Sequence, residues 1–296
     1  MAGRPPADLS EAAACGYPHW SVTVRSVCLL IALFQVLPDA PLIVAANRDE
    51  RYDRPAVAMT VLREARPRIL GGQDKLAGGT WLAVSEHGVV AGLTNQPSAD
   101  GRDPTKRSRG ELPLAFAARA TATEAATAMA DELDPDAYNP CWMLVGDRDA
   151  LFSVGIAAGS RPEVERLPPG LYVLENAPLR SGSAKAARVA QLVAEARSAQ
   201  PDSGVLSTIT ALETVLRDHR PTIAESRTDD GGRVWPPEIF APCVHTPTYG
   251  TRSAMTVTVP ASGLPEVRVA DGPPCLAAMR EVTGLWAKAS SGEMAG

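Results

Sequence analysis

The stretch SVCLLIALFQVLPDAPLIVAANRDERYDRP, residues 26–55, decides the fold of this chain. It contains two apolar segments of strand length, each closed by turn-forming residues. The first segment begins at Cys28, and the second ends in the charged cluster NRDE, residues 47–50. A buried strand rarely ends in three adjacent ionisable groups without a use for them. Cys28 is therefore a packed thiol, part of a secretion signal, or a nucleophile displaced by the residues before it.

The region around Cys28 imitates a secretion signal. Arg25 is followed by an apolar run and by a small-residue exit at Ala40. Cleavage at that exit would remove the first apolar segment and leave the second, so this interpretation depends on whether the two segments belong together. The run from Val27 to Leu37 is far shorter than the roughly 20 apolar residues of a membrane-spanning helix. We therefore expect no membrane partner.

Composition favours a globular protein that acts on a small molecule. The 296 residues are 45 % hydrophobic and 21 % charged, which supports a sizeable core. The 34 acidic and 29 basic side chains give a net charge of −5, and no lysine or arginine stripe is present. Nucleic acid is therefore a poor electrostatic partner. A homo-oligomer is compatible with the sequence.

The five cysteines, at positions 15, 28, 141, 243 and 275, are odd in number and irregularly spaced. They fit neither a disulfide framework nor a CxxC zinc pattern, so we expect a cytoplasmic protein. Cys243 and His245 stand close together, but the sequence shows no second pair of ligands that would complete a metal site with them. A loop histidine is the favoured interpretation, and we expect neither a metal nor another cofactor.

Periodicity predicts strands interrupted by helices. The segments TWLAVSEHGVVAGL and CWMLVGDRDALFSVG read as hairpins that turn at residues 86–88 and 146–149. Helical spacing covers residues 110–133, 183–199 and 205–219, and the strands MTVTV and VRVA follow. This order predicts layered antiparallel sheets covered by helices. The predicted organisation is a poorly ordered extension at residues 1–27 and a single domain at 28–296. Gly78 and Gly79 are expected to permit tight backbone approach before a strand.

Several polar side chains close the apolar strands, where a layered sheet presents groups to a shared cleft. Taken alone, each asparagine among them is better explained as a turn residue. Together with Cys28, these carboxamides, arginines and the aspartate form the parts of an amide-cleaving site, in which a thiolate attacks and carboxamides hold the oxyanion. The residues concerned are Asn47, Arg48, Asp49, Asn95, Asn176 and Arg252.

A general base for Cys28 is missing from the sequence pattern. A free α-amino group, with a pKa of about 7.7 to 8.0, is able to serve as that base on the same residue. This requires Cys28 to be the first residue of the mature protein. The preceding residue is Val27, and the valine codon GTG also serves as a bacterial start codon. We therefore predict a bacterial protein whose chain begins at Cys28, or a propeptide that is removed.

These motifs resemble the NRDE family, also called the transport and Golgi organisation family. The resemblance runs from Cys28 to about residue 258, and its members typically begin Met-Cys. It implies an α+β fold of the N-terminal-nucleophile hydrolases, a four-layer αββα sandwich of antiparallel sheets. The motifs that carry it are the stretch from CLLIALF to RYDRP, ILGGQDKLAGGTWLAVSEHGVVAGLTNQP, SRGEL, GLYVLENAPL and YGTRSAM.

A more distant similarity, to cysteine amidases that cleave penicillin V and conjugated bile salts, implies roles for individual residues. Asn95 and Asn176 would form the oxyanion site, Arg48 and Asp49 would orient the nucleophile and its amine, and Arg252 matches a late arginine. We expect further substrate contacts from Asn47, Trp81, Arg109 and Tyr249. After Asn176 the chain has APLRSGSAKAARV where the family commonly has a Trp-Pro-Lys segment, which implies an altered substrate pocket.

The predicted function is that of an N-terminal cysteine hydrolase or acyltransferase. It would act on a small amide or ester through an acyl-Cys28 intermediate. The alternative is a non-catalytic binding or trafficking protein of the same family, related to haem or lipid, in which Cys28, His87 or His245 would ligate iron. A third reading is a relic with an inert, buried Cys28.

Overall fold

The computed structural model describes residues 28–97, 101–198, 204–228, 232 and 234–287. The predicted extension at residues 1–27 lies outside them. The described part has four helices, α1 to α4, with the bounds Glu111–Ala117, Ala122–Asp131, Ala184–Ser198 and Val205–Leu216. Its strands, β1 to β15 in chain order, are Leu29–Leu37, Ala40–Arg51, Ala56–Arg63, Ile69–Asp74, Leu82–Ser85, Val90–Asn95, Cys141–Gly146, Leu151–Ile156, Glu163–Arg166, Gly170–Leu174, Arg227–Thr228, Val234–Trp235, Tyr249–Val259, Glu266–Ala270 and Arg280–Glu281.

Two large antiparallel sheets form the centre of the molecule. The first has the strand order β10-β1-β2-β13-β14-β15, so the two segments of the opening stretch are neighbours and pair along most of their length. The second is a meander from β3 to β9 in sequence order, and β11 and β12 form a separate small ribbon. Since β1 and β2 belong to one hairpin, cleavage after Ala40 would remove a central strand. The secretion-signal interpretation is therefore rejected.

Both faces of the first sheet are buried, which explains the continuous apolar run in β1. Leu30, Ala32 and Phe34 face the second sheet, whereas Leu29, Ile31 and Leu33 face α3 and α4. Successive strand residues point to opposite faces, so a strand covered on both sides needs apolar residues at every position. Helices α1 and α2 cover the outer face of the second sheet. The predicted four-layer αββα sandwich is confirmed.

The local predictions are mostly confirmed. Strands β5 and β6, β7 and β8, and β13 and β14 form the three expected antiparallel pairs. The single helix predicted over residues 110–133 is wrong, because the chain forms α1 and α2 with a break between them. Thr121 causes the break: its extended backbone and its side chain, which accepts a hydrogen bond from the Glu124 amide, cap a new helix. Among the described residues, no helix combines the length and apolar character needed to cross a membrane.

Candidate active site

Cys28 lies immediately before β1, an inner strand of the first sheet. Because Leu29 pairs with Asn47, the cysteine stands beside the charged end of β2. Cys28 as a residue is half-buried and forms no disulfide. Its Sγ lies 3.7 Å from the backbone oxygen of Asp49, to which the thiol donates. Pairing of the two strands therefore brings the cysteine to the NRDE cluster.

A cleft with an empty volume of about 810 Å³, partly open to solvent, lies next to Cys28. Its walls come from the ends of β2 and β6, the loop before β5 and the loop before α1. The NRDE, GGTW and SRGEL motifs thus meet at one place although they are far apart in the sequence. Six of the ten predicted site residues line the cleft: Cys28, Arg48, Asp49, Trp81, Asn95 and Arg109.

Glycine permits the GGTW and SRGEL motifs to touch. A Cβ atom on Gly79 would lie 2.5 Å from the carbonyl carbon of Gly110, a distance that real side chains do not show. The amide of Thr80 donates to the Gly110 oxygen at 2.9 Å, which fixes the contact. The predicted tight approach is therefore confirmed at Gly79, which forms one wall of the cleft. It is wrong at Gly78, where a Cβ atom would meet nothing within 4 Å.

Arg48 is the buried cation of the cleft. Its guanidinium stacks over the Trp81 ring, 4.5 Å from the centroid, and its Nη2 lies 3.5 Å from an oxygen of Asp74. Within the described part of the chain, its buried Nη1 has no hydrogen-bond partner. Stacking on an aromatic face and the nearby carboxylate hold this guanidinium in one orientation. Arg48 is therefore fixed in place beside the cleft.

Asp49 is a fully buried carboxylate behind Cys28. The Thr251 hydroxyl donates to its Oδ1, and the Lys185 Nζ lies 3.8 Å from its Oδ2. Burial raises the pKa of Asp49 to about 6, against the opposing effects of Lys185, Thr251 and Arg48. The residue is thus mostly ionised at neutral pH and close to its titration range.

The Cys28 thiol is neutral in this environment. Burial, and then the negative charge of Asp49, raise its pKa to about 12. A thiolate is the reactive form of cysteine, so the thiol needs a base in direct contact. None of the described residues that line the cleft is a histidine. His87 is exposed in the turn between β5 and β6, and His245 lies outside the cleft lining.

The two predicted oxyanion residues meet at the ends of β6 and β10. The Asn176 Nδ2 donates to the backbone oxygen of Asn95 at 2.6 Å, and the Thr94 hydroxyl donates to the Glu175 oxygen at 2.7 Å. Asn95 lines the cleft, whereas Asn176 is not among the lining residues. One amide hydrogen of Asn176 is therefore used to hold Asn95, and the second remains for another acceptor.

The sequence profile described as Transport and Golgi organisation 2 matches residues 27–271. The chain belongs to this family. Proteins named as its homologues in mouse and human are each 32 % identical to this chain, over 257 and 256 residues, with 80 % of this chain and 90 % of the relative covered.

A solved structure extends the comparison. A mutant of conjugated bile acid hydrolase from Clostridium perfringens superposes with a TM-score of 0.52 at 11 % identity, covering 86 % of this chain and 96 % of that one. At this identity the likeness concerns the fold alone, which is that of the N-terminal-nucleophile hydrolases. The family and fold that the motifs predicted are thus confirmed.

One prediction fails against these relatives. The matching homologues come from mouse, human and cow, which contradicts the expectation of a bacterial protein. The argument that a GTG codon at Val27 starts the chain rested on bacterial initiation and falls with it. Whether Cys28 becomes the first residue is then a matter of processing.

Four of the predicted residues lie outside the lining of the cleft. Asn47 is buried, and its Nδ2 donates to the backbone oxygens of Leu216 and Pro242, both at 2.9 Å, so it ties β2 to the end of α4. Asn176 donates to the backbone oxygen of Asn95, as described above. Tyr249 begins β13 and packs in a small cluster around Trp235.

Arg252, the fourth, sits at a bulge where the register of β13 against β2 shifts. Its Nη1 donates to the oxygens of Arg51 and Tyr52, both at 2.8 Å. Arg252 thus fixes the turn after β2 and is not among the residues that line the cleft.

Sequence reasoning missed Lys185. It lies in the segment that departs from the family pattern, and the structure buries it against Asp49 with 2 % of its surface exposed. The signal was present, because Lys185, Val189 and Val193 share one face of α3 at four-residue spacing and are all buried. A lysine on an apolar helix face marks a buried charge with a partner.

Proposed function

We propose that this protein is a cysteine-dependent hydrolase or acyltransferase of the N-terminal-nucleophile type that acts on a small amide or ester. The observation that carries the proposal is the position of the Cys28 thiol, beside a cleft that also contains Asn95 and the Arg48–Asp49 pair. The cleft offers the thiol no histidine among its described residues. The α-amine of Cys28 itself, once residues 1–27 are removed, would supply the missing base.

The proposed reaction begins when the α-amine takes the proton from Sγ. The sulfur then attacks the carbonyl carbon, and the side chains of Asn95 and Asn176 donate hydrogen bonds to the resulting oxyanion. The carbon–nitrogen or carbon–oxygen bond breaks, and the leaving group takes the proton from the α-ammonium. A thioester on Cys28 remains.

Water or another acceptor completes the cycle. The α-amine removes a proton from the acceptor as it attacks the thioester carbon, the carbon–sulfur bond breaks, and the proton returns to Sγ. Water gives hydrolysis, whereas an amine or hydroxyl gives transfer. Asp49, whose backbone oxygen contacts the thiol, would stabilise the α-ammonium that forms in each half of the reaction.

Charge in the cleft favours an acyl substrate with an anionic group. Five arginines and three acidic residues line it, which is an excess of two positive charges when the carboxylates are ionised. Arg109 is the best anchor for an anion: its Nη1 donates to the Pro140 oxygen at 2.9 Å, and no described carboxylate pairs with it. Burial lowers the pKa of Arg109, while nearby Cys141 and Cys28 oppose this effect. The negative charge of an anionic substrate would compensate for the cost of burying the Arg109 guanidinium.

The free cysteines support a location in the cytoplasm. The described cysteines are all free, including the adjacent Cys243 and Cys275, which supports a reducing compartment such as the cytoplasm. A homo-oligomer is compatible with the proposed chemistry.

The test compares a protein that begins Met-Cys28, with the methionine removed, with the full 296-residue chain. Both are treated with an acyl electrophile, and the adduct is located by mass spectrometry. We expect acylation of Cys28 only where its amine is free, and none in Cys28→Ala. Equal acylation of a verified, unprocessed full-length chain would refute the amine-as-base mechanism. If processing is autocatalytic, Cys28→Ala accumulates as the full-length chain.

A non-catalytic binding role is the second candidate, and one observation favours it. With residue 27 attached, Cys28 has no α-amine and its thiol pKa is about 12, so the cysteine is inert in that form. The homologues in mouse and human are named for transport and Golgi organisation rather than for an activity. A chain that retains residues 1–27 in its native host and resists acylation would support this role. Titration with haem would then test for an iron-binding function.

A further inference from the structure

A second cluster of reactive side chains lies away from the cleft lining. His219 follows α4, Cys243 and His245 lie in the loop before β13, and Cys275 lies in the loop after β14. Their ligand atoms all fall within 4.8 Å of one another. In the sequence, Cys243 and His245 stand alone, and His245 is interpreted as a loop histidine. In the fold, His219 and Cys275 join them as a second pair.

The distances in this cluster match a tetrahedron of metal ligands. The two sulfurs of Cys243 and Cys275 are 3.7 Å apart, and the His245 Nε2 lies 3.5 Å from the first and 3.2 Å from the second. Zinc bonds of about 2.3 Å to sulfur and about 2.0–2.1 Å to nitrogen give tetrahedral edges of about 3.8 Å between sulfurs and about 3.6 Å between sulfur and nitrogen. Three of the four ligands are therefore at coordination distance from a common centre.

His219 is the fourth ligand. The longer separations in the cluster involve this residue, whose ring centroid lies 5.1 Å from that of His245. Because His219 is exposed, rotation about its side-chain torsions closes the remaining gap without disturbing the core. Cys243, by contrast, is buried and fixed by its backbone amide, which donates to the Asp218 oxygen at 2.9 Å.

We propose that His219, Cys243, His245 and Cys275 bind one Zn²⁺ ion in a structural Cys2His2 site. Four protein ligands fill the tetrahedral positions, which leaves no position for substrate and distinguishes a structural site from a catalytic one. The two thiolates balance the charge of the ion. A disulfide is the other chemistry open to two cysteines, but their sulfurs are far beyond the S–S bond length of about 2.05 Å.

The proposed ion would stabilise hydrogen bonds on the buried side of the first sheet. The Val244 amide donates to the Thr251 hydroxyl at 2.9 Å, and that hydroxyl donates to Asp49. The Asn47 amide holds the Pro242 oxygen in the same loop. An ion that fixes the 241–245 loop therefore also fixes two hydrogen bonds behind the NRDE cluster.

The first experiment measures metal in the purified full-length chain, handled with a reductant and without a metal-affinity tag. Elemental analysis by mass spectrometry should find one zinc ion per chain. The variants Cys243→Ser and Cys275→Ser should each lose this zinc. Cys28→Ser and His87→Gln are matched controls that remove a thiol and an imidazole elsewhere and should keep the metal. Absence of zinc in the parent chain, or equal loss from the controls, would overturn the proposal.

A second measurement covers the case in which the cysteine variants fail to fold. Apo protein prepared from the parent chain with a chelator should show a lower Tm, which added Zn²⁺ restores, because an ion that binds only the folded state stabilises it. Added Co²⁺ should give the visible absorption of a tetrahedral thiolate site, and His219→Gln should weaken it. An unchanged Tm with chelator would refute the site.

Discussion

Replacing Lys185 with methionine tests the buried charge pair behind the nucleophile. Methionine keeps the length of the side chain and removes its ammonium, so Asp49 is left buried without its nearest cation. The two side chains are both almost fully buried, with Nζ and Oδ2 3.8 Å apart. Removing one partner of such a pair typically costs about 3–5 kcal/mol. We expect Lys185→Met to lower the free energy of unfolding by that amount at pH 8.

The pH dependence of this loss is set by Asp49. Its folded pKa of about 6 exceeds the ordinary value of 3.8, a difference worth about 3 kcal/mol. A carboxyl group of this kind contributes stability that is fully present below the unfolded value and is lost as the pH rises through the folded value. Lys185 lowers the Asp49 pKa, so its removal raises it further. The loss should therefore shrink at pH 5, where Asp49 is protonated in both proteins, to about the 1 kcal/mol of a tolerated core exchange.

Urea unfolding followed by tryptophan fluorescence at pH 5 to 8 measures this loss. A matched control is Arg119→Met, because Arg119 pairs with Glu132 on the surface and such pairs contribute at most about 1 kcal/mol. The control should change little and without a trend between pH 5 and 8. A Lys185→Met loss that is equal at both ends of the range, or below 1 kcal/mol at pH 8, would contradict the charge-pair reasoning and leave Lys185 as a packing residue.

Three further predictions concern the cleft. Asn95→Ala and Asn176→Ala should each lower kcat by about 100- to 1,000-fold, the usual loss for an oxyanion donor, with a smaller effect on Tm; full turnover with earlier melting would identify a turn residue instead. Arg109→Met should raise KM for an anionic ester more than for its neutral analogue, and equal effects on both esters would remove Arg109 as the anion anchor. Gly79→Ala should destabilise the fold by about 1–3 kcal/mol in chemical unfolding because its Cβ meets backbone 2.5 Å away. Gly284→Ala, with nothing within 4 Å, is the control, and equal losses in the two variants would exclude the steric reason.

The parts of the structure that local sequence determines could be predicted. The hairpin at residues 86–88 follows from alternating apolar residues around a glycine, and Gly88 adopts the positive φ that such a turn requires. The break after α1 is also a local signal, since Thr121 with Glu124 three residues later forms an N-cap that apolar periodicity outweighed. Apolar periodicity indicates which residues lie on the buried face of a helix. It is less informative about where one helix ends and the next begins.

The contacts that sequence could not predict join distant segments. Thr251 and Asp49 are 202 residues apart, and the cysteine pair of the proposed zinc site is 32 apart. No fixed spacing links such residues, because the register of β13 against β2 and the loops after α4 and β14 bring them together. The resemblance to the family predicted the cleft residues that lie within the family motifs. It supplied no role for Lys185, whose segment departs from the family pattern.

The orientation of hydrogen bonds behind Cys28 explains why Asp49 is held ionised near neutral pH despite its burial. A hydroxyl has a single hydrogen, and in Thr251 that hydrogen goes to Asp49 while the oxygen accepts from the Val244 amide. The amide thus polarises the hydroxyl toward the carboxylate, and Lys185 supplies the opposite charge on the other oxygen. Protonating Asp49 would weaken both interactions at once. The loop that positions Val244 therefore helps to set the charge next to the nucleophile, and the proposed metal ion would act on the reaction through this loop.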